Sequence, residues 1–384
     1  MMDVTTAAGP DFGFGLYVHW PYCTRICPYC DFNVYTAKGR DNSALVDAII
    51  ADIDRHYRRM GDHPKLDSLF LGGGTPSLLS AAQMAEVIDA AHARFGLREG
   101  AEITLEANPN DVLAGDLPGW RAAGVNRLSV GVQSLDDDAL KFLGRDHDSA
   151  NALRAIDLTA ATFPNHSVDL IYARPGQSAE AWSAELGRVI TLGAPHLSLY
   201  ELTIEARTAF GKRAARGDLI AMEDDAQADM YEATQAITSA AGLPAYEVSN
   251  HARDAASRSV HNTIYWHGGD WIGVGPGAHG RITVDGQRLA TEAAKRPADY
   301  ISQTKSEETA LPALDIAREL FAMGLRPVEG IDISRVENLA GSEIDRTQIA
   351  TLEAAGMARL KGTTLSLTPS GWLLADRIAA ELSP

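Results

Sequence analysis

Residues 15–32 read GLYVHWPYCTRICPYCDF, an aromatic and β-rich run followed at once by Cys23, Cys27 and Cys30. These are the only three cysteines of a 384-residue chain. Three cysteines cannot all pair as disulfides, and chance does not gather every one of them between positions 23 and 30. In a reducing compartment such a cluster points to metal ligation or redox chemistry and not to crosslinking. The loop follows a predicted strand, GLYVHW at 15–20, and the rest of the chain is read from that placement.

Further strands are predicted at LDSLFL (66–71), EITLEA (102–107), RLSVGV (127–132), SVDLIY (167–172) and HLSLYEL (196–202). Helical patterns separate them near 43–59, 80–95, 111–123, 149–161 and 178–192, with Ser80 and Ser178 as N-caps. Strands alternating with helices imply βα units and a parallel sheet. Polar and glycine motifs sit at the strand ends: the cysteines, then Gly72-Gly73-Gly74-Thr75, Glu106 to Pro109, Gln133, and Asp169. Groups gathered at strand C-termini are what a catalytic barrel face presents. An open doubly wound sheet also places a site there. Because most strands contribute, the expected fold is α/β, a partial (β/α)6 TIM-like barrel.

After about residue 203 the rhythm breaks. A helix is predicted over 224–241 and a strand over PAYEVSN (244–250), ahead of HNTIYWHGGDWIGVGPGAHG (261–280). From about 310 a helix-rich pattern resumes, ending in TTLSLTPSGWLLADRIAAEL, where Pro369 and Gly371 follow a short strand. The expected organisation is a barrel part over 1–290 and a small C-terminal helical or winged-helix-like domain over 291–384.

A hydrophobic share of 45% and a charged share of 22% describe an ordinary globular chain. No apolar run approaches the roughly 20 residues of a membrane span. The leading segment MMDVTTAAGPDFGFG has neither the basic start nor the apolar stretch of a secretory signal, which makes the cytoplasm the expected location. A formal net charge of −17 argues against a broad nucleic-acid surface.

Cys23-x3-Cys27-x2-Cys30 offers three thiolates from one loop, and iron–sulfur clusters are held by cysteine thiolates. Three protein ligands leave one iron of a cubane open. Two other readings stand beside this one: a Cys3His zinc site using His19, and buried, inert cysteines. The strand before the loop favours the cluster. So does Tyr29, an aromatic placed just before the last cysteine, where it could stack on an adenine.

The C-x3-C-x-aromatic-C spacing after a first strand resembles the signature of the radical S-adenosylmethionine (SAM) family. The stretch LYVHWPYCTRICPYCDFNVY resembles the branch that contains oxygen-independent coproporphyrinogen III dehydrogenase and the HemW-type haem chaperones. The likeness continues through GGGTPS, LEANP, GVQSL, LGRDH and DLIY to HNTIYW. It implies a [4Fe-4S] cluster on Cys23, Cys27 and Cys30, with SAM on the open iron. It also implies a SAM site made of Tyr17, Tyr29, Gly73, Gly74, Thr75, Glu106, Gln133, Arg145 and Asp169, with Arg145 facing the SAM carboxylate. Where relatives commonly show Gly-Leu-Pro-x-Gln after DLIY, this chain has Ala173-Arg174-Pro175-Gly176-Gln177. Arg174 is read either as a contact for a porphyrin propionate or as a surface arginine.

Gly275-x-Gly277-x-x-Gly280 formally matches a dinucleotide fingerprint, but it holds Pro276 and leads into a strand-like ARITVDG. A glycine-rich backbone lining the barrel cavity is the expectation instead. In His261-Asn262-x-x-Tyr265-Trp266, residue types alone favour a packed core over a haem pocket. The resemblance tips this toward haem: HNxxYW is characteristic of HemW-type proteins, so His261, Tyr265 and Trp266 become the expected haem residues. His261 is the first candidate for the iron, ahead of His267 and His279.

The resemblance leaves an enzyme and a carrier in contention. Coproporphyrinogen dehydrogenases usually carry a fourth cysteine two residues after the third; here that residue is Phe32. They also carry a substantial N-terminal extension, whereas the first predicted strand here starts at position 15. With HNTIYW, these features favour a chaperone that binds haem, keeps the cluster and SAM, and delivers haem to recipient haem proteins, which can lie at the inner membrane face. The alternative is oxidative decarboxylation of coproporphyrinogen III, and a radical SAM enzyme acting on another substrate is the third reading. A homodimer is a further expectation; nucleic acid is not.

Overall fold

In this computed structural model, which describes residues 7–37, 39, 42–303 and 306–384, the strand that precedes the cysteines lies inside the sheet. The first six residues of the leading segment lie outside the described residues. Strand β1 (Phe14–Trp20) is buried at every position except the half-buried Tyr17, as expected of a strand covered on both faces. It pairs in parallel with β2 (Leu66–Gly73), and β3 (Leu97–Ala107), β4 (Arg127–Gln133), β5 (Asn165–Tyr172) and β6 (His196–Glu201) follow, each parallel to the last. All six predicted strands form.

The crossovers are helical. Helix α1 (Asn42–Met60) precedes β2, and α2 (Ala81–Phe95) leads from β2 to β3. Ser80 closes a reciprocal capping box with Gln83, and Ser178 caps α7 (Ala179–Thr191) through the Ala181 amide, so both predicted caps form. The helix predicted over 111–123 is instead two short ones, α3 (Pro109–Ala114) and α4 (Leu117–Ala122). Pro118 lacks an amide hydrogen and clashes with the carbonyl four residues back, so the helix restarts under an Asp116 cap. Helices α5 (Asp137–Phe142) and α6 (Ser149–Thr162) connect β4 to β5.

Beyond β6 come α8 (Ala209–Ala215), α9 (Asp224–Ala240) and β7 (Asn250–Ala252), which runs antiparallel to β6. The strand predicted over 244–250 does not form. Only Ala245 makes an isolated bridge, and the buried Glu247 carboxylate accepts the Ser249 amide and the Asn250 side chain, which bends the backbone. Helix α10 (Val260–His267) holds the HNTIYW residues, and β8 (Asp270–Val274) then returns to pair in parallel with the other side of β1. Strands β9 (His279–Val284), β10 (Gln287–Ala293) and β11 (Ser306–Ala310) extend the sheet antiparallel, with α11 (Pro297–Gln303) between the last two.

The resulting sheet has 11 strands in the order β11-β10-β9-β8-β1-β2-β3-β4-β5-β6-β7. It is open, with free edges at β7 and β11, and it does not close into a barrel. The glycine run at 275–280 follows β8 with a backbone packed against β1 and does not line the central cavity, contrary to the expectation above. A Cβ on Gly275, whose φ is +100°, would lie 2.2 Å from the His19 carbonyl oxygen. One on Gly277 would lie 2.5 Å from Asn33. Close backbone approach explains Gly275, and the Asn33 side-chain amide leaves room only for glycine at 277.

A second apolar core unites α12 (Ala313–Gly324), α13 (Ile333–Ala340), α14 (Arg346–Ala354) and the last helix (Ala375–Leu382) with Ala7, Ala8 and Tyr231. A three-stranded sheet of Ile331–Asp332, Thr364–Leu367 and Ala358–Lys361 completes a winged-helix-like unit. Among the described residues no helix is long and apolar enough to cross a membrane.

Candidate functional site

The C-terminal ends of β2 to β6 surround a cavity of about 590 Å³. Cys23, Cys27, Cys30, Tyr29, Gly73, Gly74, Thr75, Glu106, Gln133, Arg145 and Asp169 all line it. Residues more than a hundred positions apart in sequence thus converge, as the strand-end motifs predict. Tyr17 does not reach the cavity wall: its hydroxyl meets His19 Nδ1 at 3.0 Å and its ring lies beside Phe70 and His261.

The cysteine loop is fixed by backbone bonds. The Cys30 amide donates to the Cys27 carbonyl at 3.2 Å, and the Phe210 amide donates to the Pro28 carbonyl at 2.8 Å. The glycine loop is tied to it: the Gly74 and Thr75 amides donate to the Trp20 and Tyr22 carbonyls at 2.7 and 2.9 Å. A Cβ at Gly74 would stand 2.7 Å from the Trp20 oxygen, so only glycine permits this approach. Gln133 closes β4 with φ of +68° at a register shift, a strained non-glycine conformation of the kind found at functional sites.

The donor chemistry fits an iron–sulfur cluster. The three thiols are free and share one wall, and burial pushes Cys23 up and Cys30 up to about 11, so both lose a proton on ligation. His19 is a poor fourth ligand for zinc, since Nδ1 contacts Tyr17 and Nε2 contacts the Asn33 carbonyl at 3.0 Å. Among the described residues no three His, Cys, Asp or Glu side chains converge on one ion. A cubane accepts more widely spaced thiolates, one per iron. Arg145 spans the cavity, with Nη1 3.5 Å from Cys27 Sγ and Nη2 donating to the Gly131 carbonyl at 2.8 Å and to Asn108.

Asp169 accepts from Ser129 and Ser167, both at 2.9 Å, and burial raises its carboxyl. Glu106 accepts the Gly73 amide at 3.1 Å, while burial and the nearby Asp169 charge push it up to about 7. Unfolded, Glu106 titrates near 4.5, so between that value and about 7 the native chain holds a proton that the unfolded chain has lost. Apo-protein stability therefore falls as pH rises through this window. Because Glu106 faces an open cavity, the expected effect is only about 2 kcal/mol. Urea unfolding should show Glu106→Gln gaining that much on wild type between pH 5 and pH 8. A difference independent of pH would remove Glu106 as the titrating group.

The HNTIYW residues divide over three surroundings. Helix α10 is capped by Ser259, and Glu102 accepts the Val260 and His261 amides, both at 3.2 Å. His261 is buried, with Nδ1 2.7 Å from Ser68 Oγ, Nε2 2.6 Å from the Tyr265 hydroxyl, and its ring stacked on Phe70. Burial pushes it down to about 3. Tyr265 packs on Trp271, and neither it nor His261 lines the cavity. Asn262 does reach the cavity, whereas Trp266 and His267 face a separate groove. His279 lies 57% exposed on β9, 3.9 Å from Glu292.

Arg174 is not a surface residue, and its guanidinium is already committed within the protein. It is buried, donating to the Ile171 carbonyl and to Glu185, each at 2.8 Å. Asn108 and Asn262, inside quoted motifs, also reach the cavity, and other cavity residues escaped the motif reading, among them Arg127, Ser129, His196 and Ser198. A signal existed. In RLSVGVQ and HLSLYE the alternate residues 127, 129, 131, 133 and 196, 198, 200 all face the cavity, which is the two-residue period of a strand.

Comparison with known proteins agrees with this fold. The Radical SAM superfamily matches residues 17–186, and the HemN C-terminal domain matches residues 311–374. "Heme chaperone HemW" of Escherichia coli (strain K12) is 38% identical over 329 residues, covering 85% of each chain. "Heme chaperone HemW" of Mycobacterium tuberculosis (strain ATCC 25618 / H37Rv) is 35% identical over 381 residues, 97% of this chain and 95% of that one. "Radical S-adenosyl methionine domain-containing protein 1, mitochondrial" of Mus musculus is 38% identical over 82% of this chain and 74% of its own. The solved coproporphyrinogen III oxidase (HemN) from Escherichia coli shares the fold, with a TM-score of 0.77 at 22% identity over 97% of this chain and 90% of its own.

Proposed function

Since this chain belongs to the HemW-type family of the radical SAM superfamily, we propose that it is a haem chaperone: it binds haem, a [4Fe-4S] cluster and SAM, and delivers the haem to other haem proteins. The observation that carries the reading is the division of α10. An enzyme that oxidises a porphyrin side chain must hold it within reach of the SAM site. Here Asn262 alone of the HNTIYW residues lines that cavity with the thiols, while His261 is in the core, Tyr265 is half-buried against His261 and Trp271, and Trp266 faces elsewhere. Phe32, in place of a fourth cysteine, stands 64% exposed on the cavity wall.

In this proposal Cys23, Cys27 and Cys30 hold the cluster. Such a cluster, with one iron left open by the protein, chelates SAM and supplies the electron for its cleavage. The residues around it bind and orient. Gly73 and Gly74 offer backbone carbonyls free of Cβ obstruction, Thr75 offers a hydroxyl, and Glu106, Gln133 and Asp169 offer acceptors for hydroxyl and ammonium groups. Arg145 offers a guanidinium for a carboxylate, and Tyr29 offers a ring for an adenine. Tyr17 supports the wall through His19. The HNTIYW helix is assigned to haem, with Trp266 facing the cargo and His261 and Tyr265 holding the helix against β2. Work in the cytoplasm, recipients at the inner membrane face, and a homodimer belong to the same proposal. So does a two-part organisation, with the boundary moved from 290/291 to after Ala310 because β10 and β11 belong to the main sheet.

The deciding experiment is anaerobic incubation of the reconstituted chain with SAM, a reductant and coproporphyrinogen III. No protoporphyrinogen IX is expected, whereas ferric haem given to the chain should bind and pass to an apo-haem protein. Formation of protoporphyrinogen IX would overturn the carrier reading in favour of the decarboxylase.

A further inference from the structure

We propose that haem sits in the groove beside α10, with His267 as the ligand of its iron. The inference rests on the carrier reading and places the cargo on the side of α10 away from the cluster cavity. The groove has a volume of about 340 Å³ and is lined by Phe12, Val260 and Trp266, with His267 at the C-terminal end of the helix.

Availability of the imidazole decides between the histidines. Both ring nitrogens of His261 are hydrogen-bonded, and the side chain is sealed beneath Phe70. The His267 ring is half-buried near Glu329, Arg335 and Arg258 and makes no hydrogen bond among the described residues, while its backbone carbonyl accepts from Arg335. His279 does not line the groove. A haem ligand must present a ring nitrogen that is not already committed, and His267 alone of the three does so beside an apolar wall.

That wall is flat and held in place. Arg326 stacks on Trp266 at 4.7 Å, and Val260 is 39% exposed, an apolar surface for a macrocycle to cover. The groove also carries two guanidinium groups, each beside a carboxylate that lines it too. Arg98 and Arg258 line the same groove, each with one carboxylate partner, Asp67 at 3.1 Å and Glu329 at 2.5 Å. A guanidinium has five N–H donors, so each retains capacity for a haem propionate. A half-open groove of this size covers part of a macrocycle and leaves the rest accessible, which suits a carrier that must release its cargo.

The test is a titration of the full chain with ferric haem, followed by absorbance. Wild type is expected to show the bands of an imidazole-ligated iron. His267→Ala should lose those bands and bind at least about tenfold more weakly, with added imidazole restoring the bands. His267→Met should shift the bands by substituting a thioether, while His279→Ala, on the exposed face of β9, should keep them. Wild-type bands and affinity in both His267 variants, at unchanged cluster iron content, would overturn the inference and leave the carrier reading intact. Failure of the wild type to take up haem would overturn both.

Discussion

A chain carrying Cys27→Ser is expected to hold no [4Fe-4S] cluster after anaerobic reconstitution, whereas wild type should hold about four irons per chain. Cys27 stands in the middle of the loop, on the cavity wall and 3.5 Å from Arg145. A cubane with three protein ligands has no spare one, and a serine hydroxyl is a harder and far less acidic donor than a thiol. The fold should survive the change. The loop is fixed by amide–carbonyl bonds, Cys30 to Cys27, Phe210 to Pro28 and Gly74 to Trp20, none of which uses a thiol. The variant should therefore unfold with the same urea midpoint as apo wild type while lacking iron and visible absorbance. His19→Ala is the matched control and should retain its iron, because both His19 nitrogens are already engaged by Tyr17 and Asn33. Equal iron in Cys27→Ser, or zinc in place of iron in wild type, would sink the cluster assignment.

That loop was also the most legible part of the molecule, for a physical reason. Its ligands lie within eight residues of one another behind a strand, so spacing alone brings them together. The cavity was legible for a related reason, since parallel strands deliver their C-terminal residues to one edge of the sheet. Less was readable after residue 203. Strand β8 pairs with β1 across more than two hundred residues, and its short sequence DWIGV, set between glycines, carries no alternation to betray a strand. The HNTIYW motif identified a family but not a direction. Which face of α10 meets the cavity is settled by Ser68 and Phe70 on β2 and by Glu102 on β3, none of which lies near it in sequence. An exposed arginine and a buried one look alike in sequence until the partner carboxylate is known.

Arg174 tests that last point, and Arg174→Ala is expected to destabilise the apo-protein by about 3 kcal/mol. The substitution removes one member of a buried ion pair and leaves Glu185 with the Ser134 hydroxyl and the Leu135 amide at 2.5 and 2.7 Å as its remaining close donors. These bonds offset part of the cost of a buried carboxylate, but they do not neutralise it. Haem affinity of the folded variant should match wild type, because the guanidinium is committed to Glu185 and the Ile171 carbonyl and is absent from both the cluster cavity and the α10 groove. Pairing Arg174→Met with Glu185→Gln should recover most of the loss, since both charges then leave together while the amide keeps an acceptor for Ser134 and Leu135. Urea unfolding measures the first and third quantities, and ferric haem titration measures the second. Wild-type stability with weakened haem binding would return Arg174 to a propionate contact and would require the loop around Ala173 to rearrange when haem binds.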